Sequence, residues 1–166
     1  AILDAHAIHD GPSVSEVGLL ESAAGMRFSR GEIAPALAQV GRALDAARAI
    51  YPEGSAALIS LELTAATFTA RTPQTDEAVR RYQAVKTMCA RHANAAKLGD
   101  CGRVHSNFAN LLMRLERLDE AGDELVLADA HQRQLYGERS AEVGSVAMSR
   151  GNLHARRKQW PESLVA

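Results

Sequence analysis

The chain has 166 residues, of which 46% are hydrophobic and only 4% aromatic. This length allows one domain with a buried core, and the shortage of aromatic side chains favours a core of Ala, Leu and Val in closely packed helices. The chain contains 19 Lys and Arg residues and 20 Asp and Glu residues, so its formal net charge is -1. Neither nucleic acid nor a membrane is therefore an expected partner.

Short breaks divide the sequence into segments whose apolar residues recur at spacings of three and four, as in Val79, Tyr82 and Val85. This spacing is typical of amphipathic helices, which alternate here between the first and the second helix of a pair. First helices are predicted near 15–30, 55–71, 102–115 and 141–158, and second helices near 33–50, 75–94 and 118–135. Residues 1–9 are predicted to end an earlier second helix, and residues 160–166 to begin another.

The tight turn inside each pair recurs at a nearly constant interval. Each turn ends 42 or 43 residues after the previous one, at Ala36, Ala78, Ala121 and Ser163. Twelve residues before each of these positions stands another small residue, in the series Ala24, Ala66, Ala109 and Gly151. Two series in phase indicate an internal repeat. We expect both series to be buried, because stacked helices approach to about 8–10 Å only over small side chains.

The pattern resembles tetratricopeptide repeats (TPRs), in particular the longer repeats of kinesin light chains. The third unit carries the resemblance best, with Ser106–Leu112, Leu118–Ala121, Leu125 and Ala128, and the fourth is similar, with Gly151–His154 and Trp160–Ser163. In the first two units, the segments Gly25–Phe28 and Thr67–Thr69 lack the usual large residue after the small one, which leaves the exact helix ends there open.

The resemblance implies an all-α fold, a right-handed α-α superhelix (TPR solenoid) of about four helix-turn-helix repeats. One domain is expected over residues 1–166, with the end of a preceding repeat at 1–13 and repeats at 14–54, 55–99, 100–140 and 141–166, the last one truncated. A HEAT or armadillo array is the alternative, because a standard TPR unit has only 34 residues. The Asp-Glu-Ala turn after an apolar residue favours the TPR interpretation.

Two cysteines, Cys89 and Cys101, fall in separate predicted helices and form no CxxC pair. Free thiols and a cytoplasmic location are therefore expected. No apolar run approaches the roughly 18 residues of a membrane span, and the segment 1–10 lacks the order of a signal peptide. The chain also lacks an initiator Met, and we expect it to be a piece of a longer polypeptide.

No catalytic motif of the GxSxG, HExxH, GxxxxGK[ST] or GxGxxG type occurs in the chain. His6 and His9 are three residues apart, and Cys101 and His105 are four apart, but neither pair has a third ligand nearby in the sequence. The remaining histidines stand alone. We therefore expect no catalytic residue, no metal and no cofactor in this segment.

In a solenoid of this kind, successive first helices line a concave wall. The residues predicted to bind a peptide there are Arg103, Ser106, Asn107, Asn110, Arg114, Ser149, Asn152 and Arg156. Asn110 and Asn152 lie 42 residues apart, and a carboxamide can both donate to and accept from the main chain of an extended peptide. Arg114 and Arg156, also 42 apart, would bind acidic groups. The alternative is that these residues form only an ordinary polar surface.

The function implied by the resemblance is that of a protein-protein interaction scaffold. Kinesin-light-chain-like repeats often accompany kinase or transcription-regulator domains, so the regulatory or sensor region of a larger signalling protein is one expectation. A free-standing adaptor or assembly module is the other. The expected partner is a protein or an acidic peptide, and the open ends of the solenoid could also pair two copies into a homodimer.

Overall fold

The computed structural model describes residues 11–159, and all regular structure within this range is helical. The seven α-helices are α1 (Val14–Ser29), α2 (Ile33–Ile50), α3 (Ala56–Thr69), α4 (Thr75–Arg91), α5 (Gly99–Arg114), α6 (Leu118–Tyr136) and α7 (Ala141–Gln159), with a short 3-10 helix at Ala95–Lys97. The all-α prediction is confirmed, and each helix begins and ends within three residues of its predicted bounds. The helices predicted over 1–9 and 160–166 lie outside the described residues.

The helices form pairs, α1 with α2, α3 with α4 and α5 with α6, and α7 packs against α6. We call these pairs units one to three, and α7 the first helix of unit four. Three of the four first helices begin with a serine whose hydroxyl accepts a hydrogen bond from the first turn: Ser13 in α1, Ser55 in α3 and Ser140 in α7. Such N-caps satisfy amide groups that a helix start leaves unpaired.

The turns inside units one and three have the same backbone. Gly31 and Glu116 occupy equivalent positions and both have a left-handed conformation, with φ of 79° and 59°. In both turns the next residue donates its amide hydrogen to the carbonyl five residues back, at 3.0 Å for Glu32 and 2.9 Å for Arg117. This is the pattern of a Schellman motif, which reverses the chain sharply after the first helix.

The predicted small residues lie at the helix contacts, with one exception. The six alanines of the two series have no exposed surface: Ala24, Ala36, Ala66, Ala78, Ala109 and Ala121. Their predicted burial is confirmed. Ser163 lies outside the described residues.

The exception is Gly151, whose predicted burial is wrong. It is exposed, and a Cβ atom built on it would meet nothing within 4 Å. The equivalent Ala109 shares a core cluster with Ala121 and Leu125 of the following helix. In unit four the corresponding helix is predicted only from residue 160 onward, and the described residues provide no other cover for Gly151.

The prediction of free thiols is also wrong, because Cys89 and Cys101 form a disulfide. The chain reverses between α4 and α5, and this brings the two Cα atoms to 5.6 Å. A separation of this size is normal for a disulfide.

The apolar core has two parts. One is formed by residues of α1, α2 and α3, and the other extends from α3 to α7. Met88 is partly buried and packs against both parts. Over residues 11–159, no helix combines the length and the apolar character that a membrane crossing requires.

Candidate peptide-binding groove

The first helices of units two, three and four lie side by side. The backbone of α5 contacts that of α3 on one side and that of α7 on the other, whereas the described parts of α2, α4 and α6 make no comparable contact with one another. Helices of a curved array come closest together on the inside of the curve. The first helices therefore form the concave wall of the array.

A groove runs between α5 and α7 and brings four of the predicted binding residues together. It has a volume of about 410 Å³ and is lined by Asn110, Met113, Arg114, Asn152, Ala155 and Arg156. The side chains of Asn110 and Asn152 are both exposed. Within residues 11–159, neither carboxamide is hydrogen-bonded to another side chain or to the main chain. These two carboxamides are available to a ligand.

The groove continues between α3 and α5 as a smaller cavity of about 210 Å³, which shares Asn110 and Arg114 with the first part and is lined in addition by Asn107. Here the hydroxyl of Thr67 connects three elements. It donates to the carbonyl of Leu63 at 2.8 Å and accepts from the Asn107 carboxamide at 3.2 Å and the Tyr82 hydroxyl at 3.4 Å. The predicted binding residue Asn107 therefore holds α5 against α3, and one of its amide hydrogens is already used.

The two predicted arginines are also engaged within the protein. Arg114 donates from Nη2 to the carbonyl oxygen of Ala70 at 2.7 Å, and Arg156 donates from Nη1 to that of Met113 at 3.1 Å. Arg156 also pairs with Glu116 at 2.9 Å. Both carbonyl groups lie at the end of the preceding first helix, where the helix dipole favours a cation. These arginines join adjacent units and keep their remaining donors for a ligand.

Arg71, which is not among the predicted binding residues, extends the arginine row to a third unit. It precedes Arg114 by 43 residues, is exposed, and lines the cavity between α3 and α5. It makes no ion pair with any residue in the described range. The repeat step of 42 to 43 residues was the signal that could have identified it.

Three other residues predicted to bind a peptide lie outside the groove. Arg103 is exposed and pairs with Asp100 on its own helix, while Ser106 and Ser149 are half-buried. None of these three residues lines either part of the groove.

The residues considered as metal ligands have other contacts. Cys101 is in the disulfide, and Nδ1 of His105 lies 2.6 Å from Oε2 of Glu124, whose other carboxylate oxygen accepts from Lys86. The described residues contain no group of three His, Cys, Asp or Glu side chains placed to hold a metal ion. His6 and His9 lie outside the described range.

Glu124 is buried and has a lowered pKa. Burial alone would raise the pKa of this carboxyl group, but the hydrogen bonds from His105 and Lys86, together with their positive charge, outweigh burial. The cluster joins α4, α5 and α6, so it links unit two to unit three.

Another cavity, of about 820 Å³, lies between the ends of α2 and α4 and the start of α3. None of the predicted residues lines it. Its rim carries both signs of charge, and Glu62 is paired there with Arg48 at 2.7 Å. The rim therefore shows no preference for a ligand of either charge.

The amino-acid sequence matches no protein-family model and no curated protein. The structure is similar to the crystal structure of BtubC (BKLC) from P. vanneervenii, a kinesin-light-chain-like TPR protein, with a TM-score of 0.75 and 21% sequence identity. The similarity covers 85% of this chain and 55% of BtubC, so the chain spans about half the length of that protein. This similarity favours TPR over HEAT or armadillo repeats. The chain therefore has the fold of a tetratricopeptide-type helical repeat.

Proposed function

We propose that the chain is a protein-interaction scaffold that binds an extended segment of a partner protein along α3, α5 and α7. The observation that carries this proposal is the pair Asn110 and Asn152, two exposed carboxamides that line one groove at equivalent positions of adjacent units. A carboxamide can bind the main chain of a peptide whatever its sequence.

The charge of the groove supports an acidic partner. Arg71, Arg114 and Arg156 stand in a row along it, and each guanidinium group has five N–H donors. Arg114 uses one of its nitrogens to bind Ala70, and the other nitrogens can bind carboxylates of the partner. The groove thus combines groups that bind the peptide main chain with groups that select acidic side chains.

Two contexts for the scaffold remain proposals. The resemblance to kinesin-light-chain-like repeats supports a regulatory or sensor region of a larger signalling protein, such as a serine/threonine kinase or a transcription regulator, and a free-standing adaptor is the alternative. We propose a cytoplasmic location and no catalytic role. Since the cytoplasm keeps most thiols reduced, this location requires that the disulfide be reversible there.

The test is selection of binding peptides from a random library, followed by calorimetric titration of the selected peptides. We expect extended sequences rich in Asp and Glu, and a loss of affinity for the variant carrying both Asn110→Ala and Asn152→Ala. The matched control is Gln83→Ala, which removes an exposed carboxamide from the second helix α4. Unchanged affinity of the folded double variant would place the binding surface elsewhere.

A further inference from the structure

The disulfide lies where the array passes from unit two to unit three. Cys89 is near the end of α4, and Cys101 is in the first turn of α5. Between these helices runs the longest connection among the described residues, 92–98. The disulfide therefore closes a short covalent ring around the whole connection.

This junction has less support from other contacts than the junctions on either side. The backbones of α4 and α5 touch less extensively than those of α2 and α3 or of α6 and α7. In addition, α5 is the only first helix in the described range without a serine N-cap, since Leu98 stands at that position and makes no side-chain cap bond. No side-chain cap fixes the start of α5, and the disulfide joins its first turn covalently to the end of α4.

The equivalent positions in the neighbouring units show what the cysteines replace. Forty-two residues before Cys89 stands Ala47, and 43 before Cys101 stands Leu58, both buried in one core cluster. Forty-two residues after Cys101 stands the buried Val143. At the α2–α3 junction apolar side chains occupy both positions, whereas at the α6–α7 junction the buried Gln132 stands 43 residues after Cys89, opposite the apolar Val143. Only between α4 and α5 is the contact covalent, and reduction would leave two small thiols in place of a bond.

From these observations we propose that Cys89 and Cys101 form a redox-controlled staple, which fixes units two and three to each other when oxidised and releases the 92–98 connection and the first turn of α5 when reduced. Because α5 carries Asn107, Asn110 and Arg114, the staple also controls the alignment of the groove. This second consequence rests on the proposed function.

The reductant is a dithiol, either a small molecule or a protein of the dithiol oxidoreductase class. Its thiolate attacks one sulfur of the disulfide, forms a mixed disulfide and expels the other cysteine as a thiolate, which takes up a proton. The second thiol of the reductant then displaces the remaining cysteine, so two electrons and two protons are transferred and the dithiol becomes a disulfide. Cys89 and Cys101 are only 5% and 3% exposed, so attack requires the junction to open locally.

After reduction, the junction keeps two polar contacts. Nε2 of His131 lies 3.0 Å from the carbonyl oxygen of Leu98, and the cluster around Glu124 joins α4 to α5 and α6. These contacts do not involve the cysteines. We therefore expect reduction to loosen the connection without unfolding the array.

The experiment uses the full chain without a peptide. Thiol titration of denatured, unreduced protein should detect no free thiol, and titration after dithiothreitol should detect both. Amide hydrogen exchange followed by mass spectrometry should then show exchange of residues 92–104 becoming about tenfold or more faster on reduction, while α1 and α2 stay unchanged. The melting temperature should fall by about 5–15 °C.

The matched variant is Cys89→Ala with Cys101→Val, which copies the apolar residues Ala47 and Val143 at the equivalent positions. It should exchange at the same rate with and without dithiothreitol. Two free thiols that no mild oxidant can join would overturn the proposal, as would a reduced chain with unchanged exchange over 92–104. Because no peptide is present, these outcomes are independent of the proposed groove, and only a later comparison of peptide affinity in the two redox states tests their coupling.

Discussion

Arg114 and Arg156, 42 residues apart, make the same contact with two successive units. Each donates from its guanidinium group to a carbonyl oxygen at the end of the preceding first helix, Arg114 to Ala70 at 2.7 Å and Arg156 to Met113 at 3.1 Å. The helix dipole places partial negative charge at these carbonyl groups. The repeated contact shows that arginines expected only to bind a ligand also hold adjacent units together.

Replacing Arg114 by alanine should therefore reduce stability before any ligand is considered. We expect Arg114→Ala to lower the free energy of unfolding by about 0.5–1.5 kcal/mol, measured by urea denaturation, because the carbonyl of Ala70 loses its partner. The control is Arg103→Ala, since Arg103 is exposed and, among residues 11–159, pairs only with Asp100 on the same helix. Its loss should cost less than about 0.5 kcal/mol. Equal effects of the two variants would contradict the structural role of Arg114.

Larger side chains at Ala109, which is buried, and at Gly151, which is exposed, should change the stability of the chain in opposite directions. Ala109 has no exposed surface, so Ala109→Leu should overpack the helix contact and cost about 1–3 kcal/mol. Gly151 lies in the middle of α7 with open space around it, so Gly151→Ala should stabilise the described chain by about 0.5–1 kcal/mol through helix propensity. Thermal melts of the two variants check both signs. A destabilised Gly151→Ala would show that something covers this position.

The contrast between Ala109 and Gly151 shows how far the sequence alone could lead. Helix positions and the six buried alanines were predictable because the residues at the helix contacts of a repeat recur in the sequence at a fixed interval. Burial at Gly151 depends instead on which helix lies opposite, and the spacing of small residues does not contain that information. The pairing of Cys89 with Cys101 was missed for a similar reason, since it depends on how the chain reverses between α4 and α5.

For the groove residues, the sequence likewise predicts which side chains share a surface but not which of them bond within the protein. The interval of 42 residues predicted that Asn110 and Asn152 would share a surface, and the structure places them in one groove. The interval could not show that Asn107 bonds to Thr67, because that partner lies 40 residues away on another helix. Polar residues on the wall are thus predictable as a group, whereas the division between structural and available side chains requires the packed structure.

Glu124 should make the stability of the chain sensitive to acid. Its pKa is lowered in the folded state, so its contribution to stability is present above the unfolded pKa of about 4.3 and is lost as the pH falls through the folded value. At pH 7, Glu124→Gln should cost about 1–3 kcal/mol, because His105 and Lys86 lose a charged acceptor.

The measurement is urea denaturation of the parent chain and the variant at several pH values. The difference between them should be largest at neutral pH and should shrink below about pH 4. The control is Asp123→Asn, since Asp123 is the exposed neighbour of Glu124 and has no ion pair within the described residues. A difference that stays constant down to pH 3 would show that Glu124 acts through packing and not through its charge.

Once a binding peptide is available, the salt dependence of its affinity should distinguish the arginines of the groove from its asparagines. Arg71 is the arginine best suited to this test, because it is exposed, lines the cavity between α3 and α5, and its guanidinium group donates to no main-chain carbonyl within residues 11–159. Its removal should therefore leave stability nearly unchanged while it weakens the attraction for acidic side chains. The loss of affinity in Arg71→Ala should decrease as the ionic strength rises, since exposed charges are screened over about 8–10 Å.

Asn152→Ala should instead weaken binding by about 1–3 kcal/mol at every salt concentration, because it leaves a main-chain group of the peptide unpaired. Calorimetric titrations of both variants at low and high salt measure this contrast directly, and the same salt dependence for both would show that the carboxamide does not bind the peptide main chain.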